Sequence, residues 1–269
     1  KNHYNFYFTN KSELDITNNK LLTDFFNKNI INTVINCAAF TDVNEAESNL
    51  SLANKVNNIA VGNIAKICNN SNIQLIHIST DYVFDGNTKR PYAENYKTNP
   101  INNYGFTKLQ GEQKILNYNL KNSVIIRTSW LYSKFKNNFV KKIITKIQKK
   151  MNLEVFENQI GSPTNAEDLA KFIFNIIPKI NNKKTEIYHF SNDGFCSRYE
   201  LAQVIYNHFC DNNFIDNILP TKHSDKIRPQ FSALNCKKIN DDFNYKTEDW
   251  KISLNKMLNK HYISTHCEI

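Results

Sequence analysis

Glycine is scarce in this chain, six in 269 residues, and none precedes Gly62. A Gly-rich turn that brings phosphate oxygens against backbone N–H groups is therefore excluded ahead of Gly62. Cysteines stand at 37, 68, 196, 210, 236 and 267, never as a CxxC pair and never in a Cys/His cluster with zinc spacing. That removes the common zinc modules, and reduced thiols in a cytoplasm are the simplest account. The longest apolar runs are of strand length, so neither a membrane span nor a secretory signal is expected. Internal repeats and low-complexity linkers are also lacking.

What is present suits a globular protein. Hydrophobic residues make up 41% and aromatics 12%, enough for a substantial core. The length fits one large domain, or one with a smaller lobe. The net charge of +9 accompanies 44 asparagines and many lysines and isoleucines spread along the whole chain. That spread reads as compositional bias, not as a binding face. No groove-reading motif goes with the charge, so neither nucleic acid nor a membrane is expected as a partner.

Short apolar runs alternate with helical patterns. Strands are expected over residues 33–39, 74–79, 123–129 and 186–190. Helices are expected over residues 44–69, 102–116, 137–150, 166–177 (closed by Pro178) and 197–209 (capped by Ser197), with a last one from about Trp250. In the 137–150 helix Phe139, Ile143, Ile144 and Ile147 share one face, with lysines opposite. The strands are apolar on both faces, as parallel strands covered by helices are. The β-α-β-α order predicts a doubly wound α/β fold.

Tyr104-Gly-Phe-Thr-Lys108 places a phenol and an ammonium one turn apart on a predicted helix, facing the same way. A phenol titrates near ~10, and a neighbouring cation favours its ionised form, so Tyr104 could give a proton to a carbonyl oxygen. The pattern alone is weak, because a surface Tyr and Lys on one helix arise often by chance. Ser79-Thr-Asp-Tyr-Val-Phe-Asp-Gly86 strengthens it. It directly follows a buried strand, which places Thr80 at a strand's carboxyl end, where open α/β sheets bind ligands. A plain turn residue is the alternative for Thr80.

Several segments now resemble one family in order and spacing. They are Asn36-Cys-Ala-Ala-Phe-Thr-Asp-Val43, the Ser79–Gly86 segment, Asn99-Pro-Ile-Asn-Asn-Tyr-Gly-Phe-Thr-Lys-Leu-Gln-Gly-Glu112 and Arg127-Thr-Ser-Trp130. Asn158-Gln-Ile-Gly-Ser-Pro-Thr164, Tyr188-His-Phe-Ser191 and Arg228-Pro-Gln-Phe-Ser232 complete the set. Together they are similar to the dTDP-4-dehydrorhamnose reductases, of the extended short-chain dehydrogenase/reductase type. The resemblance runs from about Glu13 to the final helix. It implies a Rossmann-type NAD(P)-binding domain over residues 1–150. Residues 151–269 would form mainly a substrate-binding lobe, with some elements returning to the sheet.

The resemblance also implies roles. Thr80, Tyr104 and Lys108 would be the catalytic set, with Lys108 also bonding the nicotinamide ribose. Asp15 and Ile16 would flank the adenine, and Ala39, Phe40 and Thr41 would line the cofactor. Thr80, Asp81 and Trp130 would contact the sugar, with a core anchor as the alternative for Trp130. Arg228 would either pair with the substrate diphosphate or brace the C-terminal lobe. Asn165 has no assignable role. The expected activity is reduction of the C4 ketone of dTDP-4-dehydro-β-L-rhamnose by NADPH or NADH, in the cytoplasm, with a homodimer conceivable. Asn10 and Lys11, at the place where an acidic residue would favour NADH, lean the choice to NADPH. Mg²⁺ is associated with the family. Asp42, Glu45 and Glu47 are conceivable donors, and a solvated helix start is the plainer account of them.

One departure stands at the front. The family opens with a strand and a T-G-x-x-G-x-x-G turn, whereas Phe6-Tyr-Phe-Thr9 here resembles its second strand. About 25 residues of the family pattern are thus unmatched, through either a fragment boundary or a true truncation. In the latter case poor solubility or poor NADPH binding is expected of residues 1–269. Related functions of the same fold make other demands on the residues. Dehydratases of this superfamily carry an Asp-Glu pair after the Thr, but Tyr82 follows Asp81 here. A related epimerase remains open. A non-catalytic regulatory partner of the same fold would have no need of Thr80, Tyr104 and Lys108.

Overall fold

In the computed structural model, residues 4–210, 218–222 and 226–262 are described. The strands are β1 (Thr33–Asn36), β2 (Gln74–Thr80), β3 (Val124–Thr128), β4 (Leu131–Tyr132), β5 (Leu153–Phe156), β6 (Ile160–Gly161), β7 (Thr164–Asn165), β8 (Glu186–His189), β9 (Cys196–Ser197) and β10 (Ile218–Thr221). The helices are α1 (Asn19–Lys28), α2 (Val43–Ser48), α3 (Leu50–Asn54), α4 (Ala60–Asn70), α5 (Asn103–Tyr118), α6 (Phe139–Gln148), α7 (Ala166–Ile176), α8 (Arg198–Phe209), α9 (Lys237–Phe243) and α10 (Trp250–His261). The main sheet has the order β1-β2-β3-β8. β1 and β2 run parallel, Thr33 opposite Gln74 and Asn36 opposite His77. The expected α/β architecture with a parallel sheet is present.

Contacts gather the chain into two compact units that interleave along the sequence. One comprises residues 1–79, 102–125 and 181–186, the other residues 80–101, 126–180 and 187–269.

In the first unit, α4 and α5 pack against each other. A π-helical turn, Lys55–Ile59, stands between α3 and α4. A Cβ at Gly111 of α5 would lie 2.1 Å from the Asn57 carbonyl oxygen, so only glycine lets α5 approach that turn. The helix expected over residues 44–69 is broken at Asn49, which ends α2 and caps α3 by accepting from Leu52 N–H. Asparagine offers the backbone a local alternative to continued helix, which explains the break. Phe6 to Thr9, expected as a strand, is irregular and exposed. Phe6 and Phe8 stack with ring centroids 5.4 Å apart. Among the described residues that segment makes no ladder, and without one an extended chain is not a strand.

In the second unit, α6 and α8 pack together, and α8 also packs on β5 and β10. Its core includes Val140, Ile143, Ile144 and Ile147 of α6, Leu201 and Ile205 of α8, and Leu254 and Leu258 of α10. The expected α6 face is therefore the buried one. Ser197 caps α8, accepting from Glu200 N–H at 3.0 Å. Asn165, unassigned from sequence, caps α7 through Glu167 N–H and donates to Ser253 Oγ at 3.1 Å. β10, which carries Pro220, pairs parallel with β5. Sequence patterning misses β10 because proline reads as a strand breaker, although an edge position tolerates it.

Candidate functional site

In the first unit the chemistry centres on α5. Asn102 caps it, accepting from Gly105 N–H at 2.7 Å. Tyr104 thus falls in the first turn, half-buried, and Lys108 one turn later on the same side. Lys108 is only 2% exposed. Its Nζ donates to the Ile78 carbonyl at 2.6 Å and lies 3.3 Å from His77 Nε2. Burial pulls the ammonium down to about 8, while the charges of Glu112 and Cys37 hold it up. Ser79 Oγ donates to Glu112 Oε1 at 2.5 Å. Asn36 Nδ2 faces His77 Nδ1 at 3.1 Å, and Asn36 Oδ1 accepts from Ala38 N–H.

Beyond β1 the chain passes through Cys37 and Ala38, both exposed, to the half-buried Ala39 and Phe40 and the exposed Thr41. Asn57, from the π turn, grips both backbone groups of Phe40, accepting from its N–H at 2.8 Å and donating to its C=O at 3.0 Å. It also donates to Thr107 of α5. Ala38 and Ala39, small residues leading into the pinned Phe40, would suit close approach of a ribose and nicotinamide, and Lys108 could present a further N–H. These residues fit the NADPH expected from sequence. Asp15 accepts from the N–H and hydroxyl of Thr17 at 2.9 and 2.8 Å. Those bonds hold its carboxylate below the ordinary value. Ile16 beside it is half-buried.

The acidic trio does not make a metal site. Asp42 caps α2 by accepting from Glu45 N–H, and Glu47 Oε1 accepts from Asn103 N–H at 2.6 Å. Among the described residues no group of three or more His, Cys, Asp or Glu could hold a metal ion. The Mg²⁺ expectation has no support here.

In the second unit Thr80 is extended and 5% exposed. Its hydroxyl accepts from Tyr82 N–H at 3.2 Å and donates to Asp81 Oδ1 at 3.1 Å. Burial pushes the Asp81 carboxyl up to about 6, against the hydroxyls of Ser232 and Thr80 and the charge of Arg198. Trp130 adopts φ of +45°, an uncommon conformation for a bulky residue. A Cβ at Gly161 would stand 2.4 Å from the Trp130 ring. The Arg198 guanidinium lies 3.6 Å from the ring centroid of Trp130 and 4.7 Å from that of Phe139. Trp130 Nε1 is buried with no hydrogen-bond partner among the described residues.

Arg198 Nε donates to Gln159 Oε1 at 3.4 Å. Its enclosed guanidinium is pulled down to about 10 by burial, with Arg228 adding a like charge. It remains a cation at neutral pH. Arg228 itself is half-buried.

The candidates therefore sort themselves. Asp15, Ile16, Ala39, Phe40, Thr41, Tyr104 and Lys108 fall in the first unit, and Thr80, Asp81, Trp130 and Arg228 in the second. Asn36, Asn57, His77, Gln159 and Arg198 were missed from sequence. Polar residues inside the apolar runs of β1 and β2 were a signal for Asn36 and His77. Nothing local marked Arg198.

Known proteins match this chain throughout. The model of the RmlD substrate binding domain matches residues 1–263. A dTDP-4-dehydrorhamnose reductase of Aggregatibacter actinomycetemcomitans is 34% identical over 253 residues, 90% of this chain and 86% of that protein. A dTDP-4-keto-6-deoxy-D-glucose reductase of Streptomyces niveus is 36% identical over 196 residues, 73% of this chain and 67% of that protein. The crystal structure of dTDP-4-dehydrorhamnose reductase from Bacillus anthracis in complex with NADP superposes with a TM-score of 0.87 at 34% identity, covering 94% of this chain and 89% of that one. The chain belongs to the RmlD substrate binding domain family, that of the dTDP-4-dehydrorhamnose reductases.

Proposed function

We propose that this protein reduces the C4 ketone of dTDP-4-dehydro-β-L-rhamnose to dTDP-L-rhamnose with NADPH, in the cytoplasm. The observation that carries the reading is Lys108, buried one turn beyond Tyr104 with its Nζ on the Ile78 carbonyl. A buried lysine is costly unless the site uses it. The family's named activity and the NADP of the Bacillus anthracis relative support the reaction and the cofactor. Asn10, whose carboxamide accepts from Ser12 and Glu13 N–H, stands where an acidic residue would favour NADH, with Lys11 beside it, although the Glu13 carboxylate accepts from Asn10 N–H at 2.9 Å.

The residues that would hold the cofactor are Asp15 and Ile16 at the adenine, Ala39 to Thr41 along the ribose, and Lys108 at the nicotinamide ribose. When bound, the nicotinamide supplies the hydride to C4. Tyr104 gives its phenolic proton to the ketone oxygen, and a protonated Lys108 steadies the resulting phenolate. The Thr80 hydroxyl, which donates to Asp81 Oδ1 in this structure, would contact the sugar. Asp81, with a buried carboxyl, bonds sugar hydroxyls, and Trp130 offers its unpartnered indole N–H. Arg198 and Arg228, near enough to feel each other's charge, suit the diphosphate, whose oxygens match guanidinium forks.

The test is NADPH consumption on the sugar nucleotide, compared with Tyr104→Phe. The variant should lose on the order of 10²–10⁴ in rate while still binding NADPH. A near-normal rate would remove Tyr104 as the acid.

A further inference from the structure

Lys108 sits at the end of a buried chain of polar groups that crosses β2 and reaches β1. His77 and Asn36, 0% and 4% exposed, lie beneath it, sealed from water. Each hydrogen in such a chain has one place to go, so the positions of the protons can be worked out in turn.

Ala38 N–H donates to one end of the Asn36 carboxamide at 3.1 Å. That end must be the oxygen, because an N–H cannot donate to an NH₂. The NH₂ end therefore faces His77 Nδ1 at 3.1 Å, and Nδ1 must accept. Full burial, with the Lys108 charge adding to it, holds the imidazole neutral, its value well below the ordinary one. A neutral imidazole that accepts at Nδ1 carries its hydrogen on Nε2. That hydrogen points at Lys108 Nζ, 3.3 Å away. An ammonium there would oppose donor to donor, whereas an amine can accept through its lone pair while donating to Ile78 O.

We propose that Asn36 and His77 are positioning residues for Lys108: the carboxamide of Asn36 fixes the Nε2–H form of His77, and that form favours the amine over the ammonium at Lys108. Other groups acting on Lys108 are Glu112 on its own helix and Cys37 beyond β1. Tyr104 stands one turn earlier on α5. Glu112 favours the ammonium, and its Oε1 is held by Ser79. Lys108 is thus balanced between a carboxylate that calls for a proton and an imidazole that resists one. To become charged it must turn His77 to the Nδ1–H form, against the amide of Asn36. A lysine balanced in this way can hold its proton beside the phenolate left when Tyr104 protonates the ketone oxygen, and can then give that proton up and rest as the amine.

This inference rests on the reductase reading for its purpose but not for its test. Heteronuclear NMR of the imidazoles at a pH well above the Lys108 value of about 8, where the amine prevails, should show His77 as the Nε2–H tautomer, and an Nδ1–H tautomer there would overturn the proposal. Titration of ¹³C-labelled lysine side chains should then show Asn36→Leu and Asn36→Asp both raising the proton affinity of Lys108, on the order of tenfold, about one pH unit. The Leu variant adds no charge, so its shift isolates the donor. An unchanged Lys108 midpoint in a folded Asn36→Leu would also overturn the proposal. If neither variant folds, the tautomer of the unaltered protein still decides. If the tautomer and midpoints are as stated but the sugar nucleotide is not reduced, the proton chain stands and the reductase reading falls.

Discussion

Each unit of this molecule holds a cation among its candidate site residues, Lys108 in the first and Arg198 in the second, and the two are treated in opposite ways. Lys108, in the first unit, has its nitrogen held by a carbonyl and faced by an imidazole, and burial brings it to about 8. Arg198, in the second, lies on the faces of Trp130 and Phe139 and at about 10 stays charged. An ammonium is a compact charge whose proton becomes labile when water is removed. A guanidinium is delocalised, weakly hydrated and content against an aromatic face. The first arrangement suits moving a proton, and the second suits holding an anion without changing state.

Four substitutions would break or sharpen that contrast. Lys108→Met keeps the length and removes the titrating nitrogen. It should lower kcat on the order of 10²–10⁴, and a small effect would mean that its proton is not used. Arg198→Leu should act on binding instead. Loss of a charge-assisted contact, about 1.5–3 kcal/mol, should cost on the order of ten- to a hundredfold in kcat/KM through KM alone. A fall in kcat would place Arg198 in the chemistry. Gly161→Ala puts a methyl 2.4 Å from the Trp130 ring. Overpacking of this kind should destabilise the protein by about 1–3 kcal/mol in denaturant melts, and an unchanged midpoint would show a ring free to slide.

The smallest effect belongs to Asp81. Its folded value, about 6, stands above the ordinary 3.8, so the folded state binds this proton more tightly than the unfolded chain does. The resulting stability is complete below the ordinary value and is lost as pH rises through about 6. The unaltered protein should lose about 1 kcal/mol from this group between pH 5 and 8. Asp81→Asn should abolish that slope. A slope retained in the variant would assign it to another group.

Much of this was legible in the chain itself. The alternation of buried strands and helices gave α/β with a parallel sheet, and β2, α5, β3, α6 and α8 lie within a few residues of their expected places. Ser197 was recognisable as a cap because capping needs only a hydroxyl and the next turn. The helix expected through residues 44–69 divides at Asn49, since a single asparagine decides locally whether a helix continues. Phe6 to Thr9 carries a strand-like pattern and forms no strand, because a strand needs a neighbour that local pattern does not reveal.

What the sequence determined by itself was chemistry of short range: the fold class, the Tyr104 and Lys108 pair on one helix face, and Thr80 at the end of a strand. Tertiary structure alone decided the environments. It placed His77 and Asn36 beneath Lys108, passed Asn57 from a π turn to the Phe40 backbone, and laid Arg198 over Trp130. The physical reason is that charge state and hydrogen-bond direction depend on desolvation and on partners dozens of residues away. Periodicity and spacing carry no record of either.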